Sequence, residues 1–163
     1  MRRARRAAVA IAASVAWSLV AGGVEAAASD YAWMSENFEG NVSLVYGSPE
    51  TGEDMLFFVY CDNQKRRSEL AVYEEIEGAS EGEPLTIEIE GGAGKISLQG
   101  KTATDEMNGF IYGMAENFPV KPLIGALTTQ GDASVKMSNV TAALPEAGRA
   151  EAVSAFDRDC KLD

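Results

Sequence analysis

Two cysteines, Cys61 and Cys160, stand 99 residues apart behind an arginine-flanked, alanine-rich amino terminus, and this arrangement constrains the fold more than any other feature. Arg2, Arg3, Arg5 and Arg6 form a basic n-region, Ala7 to Val20 a short apolar h-region, and Ala26 and Ala28 fit cleavage sites. That is the layout of a removable export signal over residues 1–28. The apolar run is too short and too rich in alanine for a membrane span, which needs about 20 strongly apolar residues, and no later segment supplies one. Val24, and not a cysteine, directly follows Val20 to Gly23, so a lipid anchor is not expected. A periplasmic or secreted location is oxidising, and there the expected use of two distant cysteines is a disulfide to each other. Their spacing is far from the Cys-x-x-Cys pair of a redox centre.

Taking residues 1–28 from the 163 leaves 135, enough for one domain with a real core. The leader removes four arginines and one glutamate, which moves the net charge from −11 to −14. An acidic balance of this size disfavours nucleic acid and anionic membrane as partners, because phosphate-binding surfaces need clustered Lys and Arg. The chain has no histidine. Ser-His-Asp and Cys-His nucleophilic machinery, the two-histidine zinc motif and a histidine pH switch are therefore excluded. Two cysteines are too few for a four-ligand structural zinc site. No catalytic residue, cofactor site or metal site is assigned.

Hydrophobic periodicity points to a mainly β domain with a C-terminal helix, built as an antiparallel sheet or a small sandwich or barrel and closed by one disulfide. Residues 29–40 read as a polar N-terminal arm carrying Tyr31, Trp33 and Phe38, and residues 41–163 as the single β-rich domain. Val42 to Tyr46 is a strand, and Met55 to Cys61 is an apolar run expected in mid-sheet with packing on both faces. Alternation places Leu70, Val72 and Ile76 on one face, and Leu85, Ile87 and Ile89 on another strand's inner face. Gly91 to Gly94 then makes a hairpin into Lys95 to Gln99. Asn108-Gly109 is the preferred pair for a two-residue hairpin turn. Pro119 and Pro122 frame a helix over Val120 to Leu127, and Val135 and Met137 point inward from a last strand. The terminal helix starts near Pro145 and Glu146. It carries Ala152, Val153, Phe156 and Cys160 on its core face, with Arg149, Glu151, Arg158 and Asp159 on the others.

Gly94-Lys95 fails as a phosphate loop, since Ile89 stands where the motif needs glycine and Ile96 where it needs Ser or Thr. Glu88 and Glu90 lie two apart on one strand face, about 6.6–7 Å, a separation also seen between glycosidase carboxyls. If the strands at 68–77 and 85–90 pair, Glu75, Glu77, Glu88 and Glu90 form one acidic face that a basic protein partner would offset. Tyr31, Trp33 and Phe38 either dock a partner or pin the arm to the sheet. Lys65-Arg66-Arg67 is read as a solvated hairpin tip.

A strand ending in cysteine (Phe57-Phe58-Val59-Tyr60-Cys61), a Leu-rich segment before a late strand (Pro122-Leu123-Ile124-Gly125-Ala126-Leu127) and a final helix closing with Cys160 resemble, in layout, the small exported proteins of the type VI secretion-associated VasI/TagO family. The likeness runs from about Met55 to Cys160 and transfers no functional residue. The leading expectation for the chain is an exported, non-enzymatic accessory or envelope protein acting through protein contacts. Two alternatives stand beside it: an inhibitor of a basic secreted hydrolase such as a lysozyme, and a hydrolase using carboxylates.

Overall fold

The structure, a computed structural model, describes residues 31–162 apart from 52, 53, 93 and 129. The export signal and the first residues of the expected arm lie outside these residues. Among these residues nine strands form one antiparallel sheet: β1 (Ala32–Phe38), β2 (Asn41–Gly47), β3 (Met55–Asp62), β4 (Arg67–Val72), β5 (Pro84–Gly91), β6 (Gly94–Thr104), β7 (Ile111–Glu116), β8 (Ala133–Met137) and β9 (Val140–Leu144). Helix α1 (Val120–Leu127) precedes β8, and α2 (Arg149–Asp159) follows β9. The strand order is β1-β2-β3-β4-β7-β6-β5-β8-β9. After the first four-strand meander the chain thus crosses to β5 and works back, so that β7 lands beside β4.

Alternating burial gives the sheet an inner and an outer face. Val42, Leu44 and Tyr46 of β2, Phe57, Val59 and Cys61 of β3, and Ile87 and Ile89 of β5 all face inward and are buried. The sheet curls around the helices, which insert Leu123, Leu127, Val153 and Phe156 into the same core. One end of the sheet is tied to the segment that leaves the other: the Trp33 indole of β1 donates to Pro145 O, just beyond β9, at 2.9 Å. Such curvature needs small residues. β6 pairs with β5 along 94–101 and with β7 along 101–104, and at this handover a Cβ on Gly100 would lie 2.1 Å from Met114 O.

Several expectations are corrected. The presumed arm is strand β1: Trp33 anchors it inward, Ala32, Met34 and Ser35 are half-buried, and only Glu36 to Phe38 are fully exposed. β4 stops at Val72; Ile76 is buried from a loop, its N–H bonded to Ile111 O. The reversal at Asn108-Gly109 is wider than two residues, spanning Asp105 to Phe110, because the Asp105 carboxylate accepts the Met107 and Asn108 amides and the Asn108 side chain. A further strand, β9, follows β8. The last helix begins after Gly148, whose φ of 77° suits glycine, rather than at Pro145. Finally, Arg149 is not on a wet face. It is 1% exposed, and its guanidinium donates to Leu127 O at 2.9 Å and to the carbonyls of Leu144 and Gly131. One buried cation thus gathers the ends of α1 and β9 and the loop before β8, and burial pulls its pKa below the usual arginine range.

Candidate functional site

Cys61 and Cys160 are bonded, with Cα atoms 5.9 Å apart. The bridge joins the end of β3 to the C-cap of α2, and Asn63 reinforces it: its Nδ2 donates to Asp159 O at 3.0 Å and its Oδ1 accepts the Lys161 amide at 2.7 Å. This is bracing, placed at the far end of β3 from Met55.

The aromatic trio divides. Trp33 is buried, its ring 5.1 Å from Tyr46 and 5.9 Å from Phe57. Phe38 closes β1 at 72% exposure. Tyr31 is half-buried and donates its hydroxyl to Asp54, which together with burial pushes its pKa up to about 12. The four glutamates do not come together either. β4 pairs with β3 and β7, β5 with β6 and β8, so Glu75 and Glu77 lie exposed in the β4–β5 loop, away from the β5 face that carries Glu88 and Glu90. On that face Glu88 stands opposite Lys136 and is 2.6 Å from Lys95 Nζ, and Glu90 stands opposite Lys95. The hydrogen bond from Lys95 holds the Glu88 carboxyl below its ordinary range, the direction opposite to that of a general acid. The acids of β5 are thus offset within the sheet.

A different feature emerges on the outer face. The run Met55 to Cys61 is apolar on both faces, yet only Phe57, Val59 and Cys61 are covered; Leu56, Phe58 and Tyr60 are half-buried and point outward. Phe58 lies in a cross-strand row, Met34–Val45–Phe58–Ala71–Met114, running through β1, β2, β3, β4 and β7. One step along the strands a second row forms. Tyr73 follows β4 and bonds its amide to Leu56 O, and beside it stands Tyr112 of β7, opposite Ala103 of β6. The Tyr73 and Tyr112 rings stack at 4.7 Å.

This second row is the floor of an open groove of about 780 Å³ between the β2–β3 and β6–β7 turns. One wall is Tyr31, Thr51, Asp54 and Met55; the other is the 104–110 turn with Asp105, Glu106, Met107 and Phe110, and Glu74 completes the rim. Met107 is 84% exposed. Among the described residues four carboxylates and no Lys or Arg line the groove. Among the described residues the ion pairs all lie elsewhere, at Lys65–Asp62, Lys95–Glu88, Lys101–Glu116, Lys121–Asp157 and Arg158–Asp159. Asp105 is held below the usual aspartate range, chiefly by the Asn108 side chain, and so stays ionised. Tyr73 is pushed up to about 12, first by burial and then by the neighbouring Tyr112, and stays neutral. The groove therefore offers apolar aromatic area under a field of one sign.

The residues that make the groove were outside the sequence expectations except for Tyr31. The available signals were Tyr73 and Tyr112 at outward positions of apolar strands, and Met107 and Phe110 flanking a turn. Among the described residues no three Cys, Asp or Glu side chains converge in a manner fit to hold a metal ion, and no helix is long and apolar enough to cross a membrane. Comparison with protein-family models, curated proteins and solved structures found no match to this chain.

Proposed function

We propose that this chain is an exported, non-enzymatic accessory or envelope protein that acts through protein contacts made by the outer face of its sheet. The observation that carries this reading is the apolar row Met34–Val45–Phe58–Ala71–Met114, which crosses five adjacent strands on the side away from the helices. A sheet with one wet face ordinarily alternates apolar-in and polar-out. Half-buried Met34, Val45 and Phe58 on three adjacent strands, with half-buried Met114 beyond the covered Ala71, depart from that rule, and apolar surface of this kind is characteristic of contact sites. The amino-terminal export pattern and the resemblance in layout to the VasI/TagO proteins support the cellular side of the reading.

A second reading, inhibition of a basic secreted hydrolase, is favoured by the acidic groove at the edge of the same face. Electrostatic complementarity would speed docking of such an enzyme. Co-purification from envelope extracts, run in parallel with Phe58→Ala, tests both. A stable complex that the variant loses supports the first reading, and a captured basic enzyme whose activity falls on binding supports the second. Turnover by the isolated chain, abolished when a groove carboxylate is replaced by its amide, would move the protein to the hydrolase class.

A further inference from the structure

Lysines of β6 and β8 on the outer face are offset where the strands run side by side. Lys95 bonds Glu88, Lys136 stands opposite it, and Lys101 pairs with Glu116 at 3.3 Å. The groove lies beyond their reach, and its rim of Asp54, Glu74, Asp105 and Glu106 meets no positive side chain among the described residues. Its floor is a stacked tyrosine pair and Leu56, and its outer lip is the exposed Met107. Carboxylates above an aromatic floor suit an arginine or lysine side chain, which gains both an ion pair and a cation–π contact while laying its methylenes on apolar surface. The volume of about 780 Å³ exceeds what one side chain fills, and the open form leaves room for a short extended stretch of polypeptide. Alternation along such a stretch would direct basic side chains to the rim and apolar ones to the floor.

We infer that the groove between the β2–β3 and β6–β7 turns is the docking site for an extended basic segment of a partner protein, with Arg or Lys alternating with apolar residues. The inference rests on the protein-contact reading above and adds to it the chemistry of the partner. Tyr73 and Tyr112 supply the surface for the cation and its aliphatic stem, and Glu74 and Glu106 the steering charge. Asp105 is bound into its own turn and Asp54 to Tyr31, so their carboxylates are fixed in place on the two walls.

The test is amide chemical-shift mapping of the full chain, expressed with its own leader and purified in oxidised form. Three probes are titrated: a short capped peptide alternating arginine with leucine, its counterpart alternating glutamate with leucine, and calcium chloride. The arginine peptide should shift amides at 54–56, 73–74 and 104–112, and the glutamate peptide and calcium should leave them in place. Replacing two rim charges in Glu74→Gln/Glu106→Gln should weaken the arginine peptide by roughly three- to tenfold at low salt, the range for two exposed ion pairs, and less at high salt. Both side chains are at least partly exposed, so this variant should fold; Tyr73→Leu, which keeps an apolar floor and removes the ring, gives an independent reading of the cation–π contact. Equal response to both peptides, a response to calcium alone at these amides, or shifts confined to Glu75, Glu77, Glu88 and Glu90 would each overturn the assignment. So would an inert groove in a protein that still captures a partner through Phe58, an outcome that leaves the protein-contact reading in place.

Discussion

Reducing the Cys61–Cys160 bridge removes one covalent cross-link and no atoms from the core, which makes it the cleanest perturbation of this fold. Cys61 is fully buried and Cys160 nearly so, and buried thiols pack as small apolar groups without an unmet hydrogen-bonding demand. The loop closed spans a sequence separation of 99, and the chain-entropy relation assigns a loop of that size about 4.7 kcal/mol at 25 °C as an upper figure. Native disulfides in small exported domains usually deliver about 2–5 kcal/mol. Asn63 and the α2 packing against β1 still hold the helix after reduction, so the reduced protein should remain folded. For a domain between the usual small and large size classes this corresponds to a loss of roughly 10–20 °C in melting temperature. The bridge is shielded, so reduction must be carried out in denaturant and followed by refolding in reductant. Calorimetry of the two forms then reads the difference directly. A reduced form melting within about 2 °C of the oxidised one would mean that the link contributes under about 1 kcal/mol and would refute the clamp.

Arg149→Met should cost about 3 kcal/mol or more in chemical denaturation, since Leu127, Leu144 and Gly131 each lose a charged donor, and Arg149→Lys should recover only part of it because an ammonium cannot fork between them. Gly100→Ala should cost about 1–3 kcal/mol, because the new methyl meets the fixed Met114 carbonyl rather than a movable side chain, and an unchanged denaturation midpoint would show that β6 and β7 can part there. At high pH, Tyr31 and Tyr73 have folded-state values raised from 10.0 to about 12; a phenol raised in this way supports folding fully below 10, and that support is lost as pH climbs towards 12. Tyrosinate absorbance should therefore show part of the five tyrosines un-ionised past pH 10 until the protein unfolds. At low pH the sign reverses: Asp62, Glu88, Asp105 and Asp159 are depressed below 3.8 or 4.5, so their contribution is present above those values and declines as pH falls through the folded-state ones. A melting temperature that rises below pH 4 would contradict this.

Local periodicity carried most of the fold. Alternation in Leu85, Ile87 and Ile89 placed the inner face of β5, the prolines at 119 and 122 framed α1 to its observed bounds, and the i, i+3, i+4 stripe of Val153, Phe156 and Cys160 oriented α2 onto the core. The misses share a cause, which is that their determinants are not local. β1 buries only Trp33 and ends in the exposed Glu36, Asn37 and Phe38, and β9 is five residues long with the small Ala142 and Ala143 at its centre, so neither shows a sustained alternation of large apolar residues. Arg149 is buried because three chain segments bring carbonyls to one point, a convergence invisible in a stretch of helix. The groove depends on β7 inserting next to β4, which brings residues 31, 54–56, 73–74 and 104–112 together. The same insertion separates β4 from β5 and so keeps Glu75 and Glu77 away from Glu88 and Glu90.

That separation allows the two acidic regions to be compared directly. The association rate of the co-purified partner should be measured as a function of salt for the unmodified chain, for Glu74→Gln/Glu106→Gln and for Glu88→Gln/Glu90→Gln. The groove pair lacks internal cations, whereas Glu88 is offset by Lys95 and Lys136, so the first variant should associate more slowly with a flatter salt dependence and the second should follow the unmodified chain. Loss of salt dependence in the β5 variant, with the groove variant unaffected, would contradict a contact surface centred on Tyr73 and Tyr112 and return it to the β5 face.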